Sequence, residues 1–147
     1  MALTVSSAGA DGMLNGDSLG AQCNGGYVRI FTGTLPAHAD APLVGGNVMM
    51  AESRFPATAF AAPTAGNGTD RRIVSNPIDA VTAVAGDGTM TAVFFRAYRA
   101  DGTTCVFQGD AGVGDEMMVL TGTGDPTKII TGSSVDIGSI TLDFPTE

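Results

Sequence analysis

The sequence predicts an all-β protein: an antiparallel β-sandwich, with a jelly roll as one form of it, behind an extended N-terminal arm. Three observations carry this. Charged residues make up only 15% of the 147, against about a quarter in ordinary domains, while 44% are apolar, so the chain has the means to bury a core. Gly occurs 21 times among runs rich in Val, Ile, Thr and Phe, a mixture suited to strands and tight turns. Short apolar runs bounded by Gly, Pro, Asn or Asp recur about eight times along the chain. The length fits one domain, and no repeat of solenoid period is present.

Residues 1–26 include "SSAGADGMLNGDSLGAQCNGG", rich in Gly, Asp, Asn and Ser and poor in apolar residues. This reads as an extended arm or loop region with little core of its own, leaving 27–147 as the single sandwich domain. "GYVRIFTG" gives the first clear strand, Tyr27 to Thr32. A loop with Pro36 and Pro42 follows. "NVMMAESRF", Asn47 to Phe55, reads as a strand; "MMAES" also tolerates a helix, but Gly46 before it and Pro56 after it favour the strand. A short strand around Phe60 leads into a polar loop that ends in Arg71-Arg72. "IVSNPIDAVTAVAGDG" fits both periods, since Ile78, Val81, Thr82 and Ala85 have helical spacing. A strand or short turn ending at Gly86-Asp87-Gly88 is expected there.

"TMTAVFFRAYRA", Thr89 to Ala100, is the strongest strand, and Asp101-Gly102 is the signal for a two-residue type I′ turn. That register sets Arg99 opposite Thr104, Tyr98 opposite Cys105, Ala97 opposite Val106 and Arg96 opposite Phe107. Tyr98, Arg96, Cys105 and Phe107 then share one side, and Phe95, Ala97 and Val106 form the core side. "EMMVL", Glu116 to Leu120, is a short strand and "TGTGDPT" a turn. In the last strand Val135 and Ile137 share one parity, whereas Ile140, Leu142 and Phe144 share the other. A β-bulge at Gly138-Ser139 accounts for the flip.

A net charge of −8 argues against nucleic-acid binding, which needs clustered basic residues; Lys128 is the sole lysine, and only Arg71-Arg72 are adjacent. No apolar run is long enough to span a membrane, and "MALTVSSAGADG" lacks the charged and apolar regions of a secretory signal. Cys23 and Cys105 are expected to be two idle thiols of a reducing compartment, the alternative being a disulfide tying the N-terminal segment to the hairpin. His38, the only histidine, has no GxSxG elbow and no neighbouring ligand residue, so it reads as a loop residue.

Asp17, Asp87, Asp110, Asp115 and Asp125 each follow a Gly. "GDAGVGDE", with Asp110, Asp115 and Glu116, is the best candidate for calcium, although β-turns use Gly and Asp for their own reasons. Asn67-Gly68-Thr69 reads as a polar turn. Arg96 and Arg99 face opposite ways, one toward an acid and one toward solvent or an interface. The adjacent pairs Met49-Met50 and Met117-Met118 set one member inward and one outward, unless the sheet is buried on both faces. No catalytic, cofactor or metal residues are assigned.

"TGTLPAHADAPLVGGNVMMAESRFPATAF", "AVFFRAYRADGTTCVFQGDAGV" and "VDIGSITLDFP" are similar to small structural proteins of tailed bacteriophages, of the head-decoration or minor-capsid type. The likeness runs from about Gly33 onward and rests on Phe94 to Arg96, Asp101-Gly102-Thr103, Cys105 to Gly109, and Ile137 to Pro145. The family commonly carries Trp where this chain has Phe94 or Phe95. The resemblance implies a non-enzymatic virion protein, most simply a decoration or cement protein on the assembled head. Its partners would be the major capsid protein, other virion proteins and copies of itself, with no nucleic acid or membrane. A tail-associated or host-adhesion protein and a carbohydrate-binding β-sandwich are the alternatives.

Overall fold

The computed structural model describes residues 3–66, 68 and 70–145. Strand accounts for 42% and helix for 9%, so the expectation of a β-rich fold holds. The elements are β1 (Thr4–Val5), α1 (Ser7–Leu14), α2 (Leu19–Gln22), β2 (Tyr27–Phe31), β3 (Met49–Arg54), β4 (Thr64–Ala65), β5 (Arg71–Val74), β6 (Val81–Thr82), β7 (Asp87–Thr91), β8 (Phe94–Tyr98), β9 (Cys105–Gly112), β10 (Met118–Thr121), β11 (Lys128–Ile130) and β12 (Ser134–Phe144). One large sheet runs β3-β2-β8-β9-β10-β12-β5-β4, with β1 also on β9 and β6 also on β12. β7 and β11 form a small separate sheet.

The large sheet is mixed, not purely antiparallel. β10 runs parallel to the end of β9, pairing Met118 with Ala111 and Val119 with Gly112. Parallel neighbours ordinarily need a crossover of about a dozen residues or more. Here the 113–117 loop suffices, because only two residue pairs form and carboxylates brace the loop. Asp110 Oδ1 accepts from Met117 N at 2.8 Å and Glu116 Oε2 from Gly114 N at 2.7 Å.

The N-terminal segment is not an extended arm. Ser6 and Ser18 cap α1 and α2, accepting from Gly9 N and Ala21 N. The glycines that read as breakers are contact points. A Cβ on Gly9 would stand 2.3 Å from the Val106 carbonyl oxygen, and one on Gly12 would meet the Gln22 amide. α1 therefore lies directly on β9, and Leu19 and Cys23 join the main core.

The long strand expected over Thr89 to Ala100 is two. At Ala92-Val93 the chain leaves the small sheet for the large one: Ala92 N donates to Thr127 O, and Val93 N to Phe31 O. The hairpin begins in the expected register, with Arg99 against Thr104 and Tyr98 against Cys105. An irregularity between Ala97 and Tyr98 then slips it by one, so Ala97 pairs with Phe107 and Arg96 with Gln108. Phe107 thus sits in the core edge-on to Phe95, with ring centroids 5.8 Å apart, and not beside Arg96.

The turn is not type I′ either. That type needs positive φ at both central residues, and among the described residues only glycines have it, Gly102 at 72°. Arg99 O accepts from Gly102 N, giving a wider loop across Ala100 to Thr103.

The bulge in β12 is present. Val119 pairs with Ser139 but Leu120 with Ile137, which leaves Gly138 as the extra residue. β5 replaces an expected loop: Arg71 and Arg72 pair across to Phe144 and Asp143. Phe60 forms an isolated bridge with Ser75, and Val81-Thr82 form a strand, not a helical turn. Met117 and Met118 are both fully buried, so that pair does not split inward and outward.

One apolar cluster joins Val28, Ile30, Phe95 and Phe107 with Met118, Leu120, Ile140 and Leu142.

Candidate interaction surface

The hairpin's two arginines both turn into the molecule. Arg96 is only 6% exposed; its Nε donates to Gln108 Oε1 at 3.1 Å and its Nη2 to Ala41 O at 2.7 Å. Gln108 in turn donates to Pro36 O at 2.6 Å. Together they hold the 33–47 loop across the sheet. Arg99 donates to Ala8 O at 2.9 Å and Gln22 Oε1 at 2.7 Å, tying both helices to the hairpin. Neither the acid expected for one of them nor the solvent or interface expected for the other is found; both donate to amide oxygens. Planar guanidinium forks suit such sites because they satisfy several buried acceptors at once.

Two of the Gly-Asp positions, Asp87 and Asp125, and the hairpin's Asp101 serve turns. Asp87, Asp101 and Asp125 each accept from the backbone and hydroxyl of a nearby Thr, at Thr89, Thr103-Thr104 and Thr127. The Thr104 hydroxyl, with the Thr104 and Thr103 amides, draws the Asp101 carboxyl down to about 2. The Ser7 hydroxyl and amide likewise lower the Asp40 carboxyl.

The 110–116 loop spends Glu116 and Asp110 on bracing the parallel step. Among the described residues no three His, Cys, Asp or Glu side chains gather as metal ligands. His38 lies on the exposed part of the 33–47 loop. Cys23 and Cys105 are free thiols, pushed up to about 12 and about 11 by burial. Neutral thiols of that kind are poor nucleophiles. Asn67 and Thr69 of the polar-turn motif lie outside the described residues.

The outer face of β2, β3 and β8 carries a ladder of cations and rings. The Arg29 guanidinium lies 4.4 Å from the Tyr98 centroid and 5.8 Å from that of Tyr27, and Arg54 lies 4.7 Å from Tyr27. Arg29 also pairs with Glu52 at 2.5 Å. These groups are matched to one another.

Among the described residues, two exposed apolar surfaces combine large side chains with a fixed loop or a cleft. The first is the tip of the 33–47 loop, where Leu43 is 39% and Val44 59% exposed. The tip is fixed: Asn47 Oδ1 accepts from Val44 N, and Asn47 Nδ2 donates to Thr34 O. The second is a cleft of about 270 Å³ between the helices and the β5–β12 end of the sheet. Met13, Leu19, Pro63, Ile73 and Phe144 supply its apolar wall. Arg71 stands at its rim and Arg72 is locked to Asp143 by bonds of 2.6 and 2.7 Å. Leu14, beside Met13, is 87% exposed. Sequence reasoning missed the cleft because α1 and β5, the elements on its two sides, read as arm and loop. The usable signal was the pair of serine caps flanking "SAGADGML".

No family model, no curated protein and no solved structure matches the chain.

Proposed function

We propose that this chain is a non-enzymatic virion structural protein that decorates and stabilises an assembled phage head. The observation carrying the proposal is the pair of separate, rigidly held apolar surfaces at Leu43-Val44 and around Met13 and Phe144. A protein that cements a lattice needs more than one adhesive surface, because weak contacts repeated by symmetry add through effective concentration. The sequence resemblance supports the same role. So does the use of the reactive side chains: both arginines of the hairpin, four Asp turns or braces and both thiols are occupied or buried inside the fold. The architecture suited to this role is a β-sandwich, in which the β2–β8–β9 region and the β10–β12 region share one apolar core.

The test is cosedimentation with preformed capsids of the phage whose genome encodes the chain, together with its copy number in purified particles. Saturable capsid binding and a copy number comparable with that of the major capsid protein are expected. Leu43→Asp with Val44→Asp should weaken capsid binding without changing the melting temperature. A few copies that sediment with tails would replace the proposal by a tail role. A calcium-dependent melting shift with glycan binding would replace it by a carbohydrate-binding one.

A further inference from the structure

We infer that the cleft between the helices and β5 is a two-fold interface with a second copy of this chain. The inference rests on reading the chain as an assembly protein, and it assigns the second apolar surface to self-association. An isologous contact requires one patch to carry both halves of every interaction it makes. This patch does. It holds a concave apolar site walled by Met13, Leu19, Pro63 and Phe144, and beside it Leu14, a projecting apolar side chain that is 87% exposed.

The same patch holds both signs of free charge. Arg71 is exposed at the cleft rim and, among the described residues, has no ion-pair or hydrogen-bond partner. Asp17 is exposed next to Ser18, which lines the cleft, and its carboxylate is likewise without a partner among the described residues. Two copies related by a two-fold axis can place each Leu14 in the other's cleft and each Arg71 against the other's Asp17.

Charge favours this patch over others. The chain carries −8, so two copies repel unless the contact itself supplies a cation. The other arginines are engaged: Arg29 with Glu52, Arg54 with Gly25 O, Arg72 with Asp143, Arg96 and Arg99 with amide oxygens. Arg71 is the free one. The β4 edge lies beside it, since Ala65 pairs with Arg71, and both β4 residues are exposed.

Sedimentation velocity of the purified full chain, run across a range of concentrations, tests this. A dimer that grows with concentration is expected. Leu14→Asp should raise its dissociation constant by about tenfold or more. Arg71→Glu and Asp17→Arg should each weaken it alone, since each sets like charges together twice across the axis. Mixing the two variants should restore it, because both pairs in the mixed dimer are then opposite in sign. Unchanged thermal melts of the variants show that folding is intact.

A chain that sediments as a monomer at every concentration overturns the inference. So does a dimer indifferent to Leu14→Asp, or a Leu14→Asp variant that loses capsid binding while self-association is unaffected. Capsid binding by a strictly monomeric chain would overturn this inference and leave the decoration proposal standing. Dimerisation without capsid binding would do the reverse.

Discussion

The large sheet is finished differently at its two ends. At the β3 end, Val84 N and Ala85 N both donate to Met50 O, and the Ser53 hydroxyl reaches Asp79 O, so the 79–85 segment covers the edge. At the β4 end the last strand is two residues long and exposed, with an apolar cleft beside it. Natural sheets guard their edges against unwanted pairing. The β3 edge is guarded by chain. Among the described residues, the β4 edge has its shortness and the exposed Arg71 side chain beside it as guards. The contrast separates an end that the chain itself covers from the end at which the proposed self-association is placed.

Substitutions should divide along that line. Phe107→Ala, at the centre of the closed half, should cost about 4 kcal/mol by urea unfolding, since Phe107 is fully buried against Phe60 and Phe95. A loss under about 1 kcal/mol would contradict the slipped register that places it in the core. Arg96→Ala should cost about 3 kcal/mol, because it leaves Gln108 Oε1 and Ala41 O without their donor. It should also loosen the 33–47 loop, visible as faster amide exchange there.

Gly102→Val should cost about 1–2 kcal/mol, since a β-branched residue resists the 72° φ of the turn. Unchanged melting would sink the left-handed conformation at Gly102. Acid provides a gentler probe. Asp101 falls from an ordinary 3.8 to about 2 in the folded chain, and Asp40, Asp87, Asp125 and Asp143 are lowered as well. A carboxyl lowered by folding contributes its stability above its unfolded value, and that contribution fades as pH drops through the folded value. Melting temperature should therefore hold down to about pH 4 and decline toward pH 2, and Asp101→Asn should flatten part of the decline. Leu14→Asp at the open end should change stability by no more than about 0.5 kcal/mol, its effect appearing only in association.

Legibility in the sequence followed the same divide. β2, β3, the hairpin and the bulge at Gly138 were readable because alternation and turn residues are local signals. The slip between Ala97 and Tyr98 was not, since an irregular pair leaves no mark in composition. α1 was hidden because Gly9 and Gly12 look like loop residues until β9 and Gln22 are known to press against them. β5 was hidden because Arg71-Arg72 looks solvated, and only the Asp143 carboxylate, far along the chain, makes Arg72 a strand residue. The proposed surface inherits both misses, since residues of both elements line it.

The Ser6 cap has a consequence in time. Its amide and hydroxyl bind the carbonyls of Cys105 and Val106, a hundred residues downstream. During synthesis the first helices must wait, undocked, until the hairpin has left the ribosome, and closing so long a loop is slow. Until then Leu19 and Cys23, which end in the main core, have no hairpin to pack against.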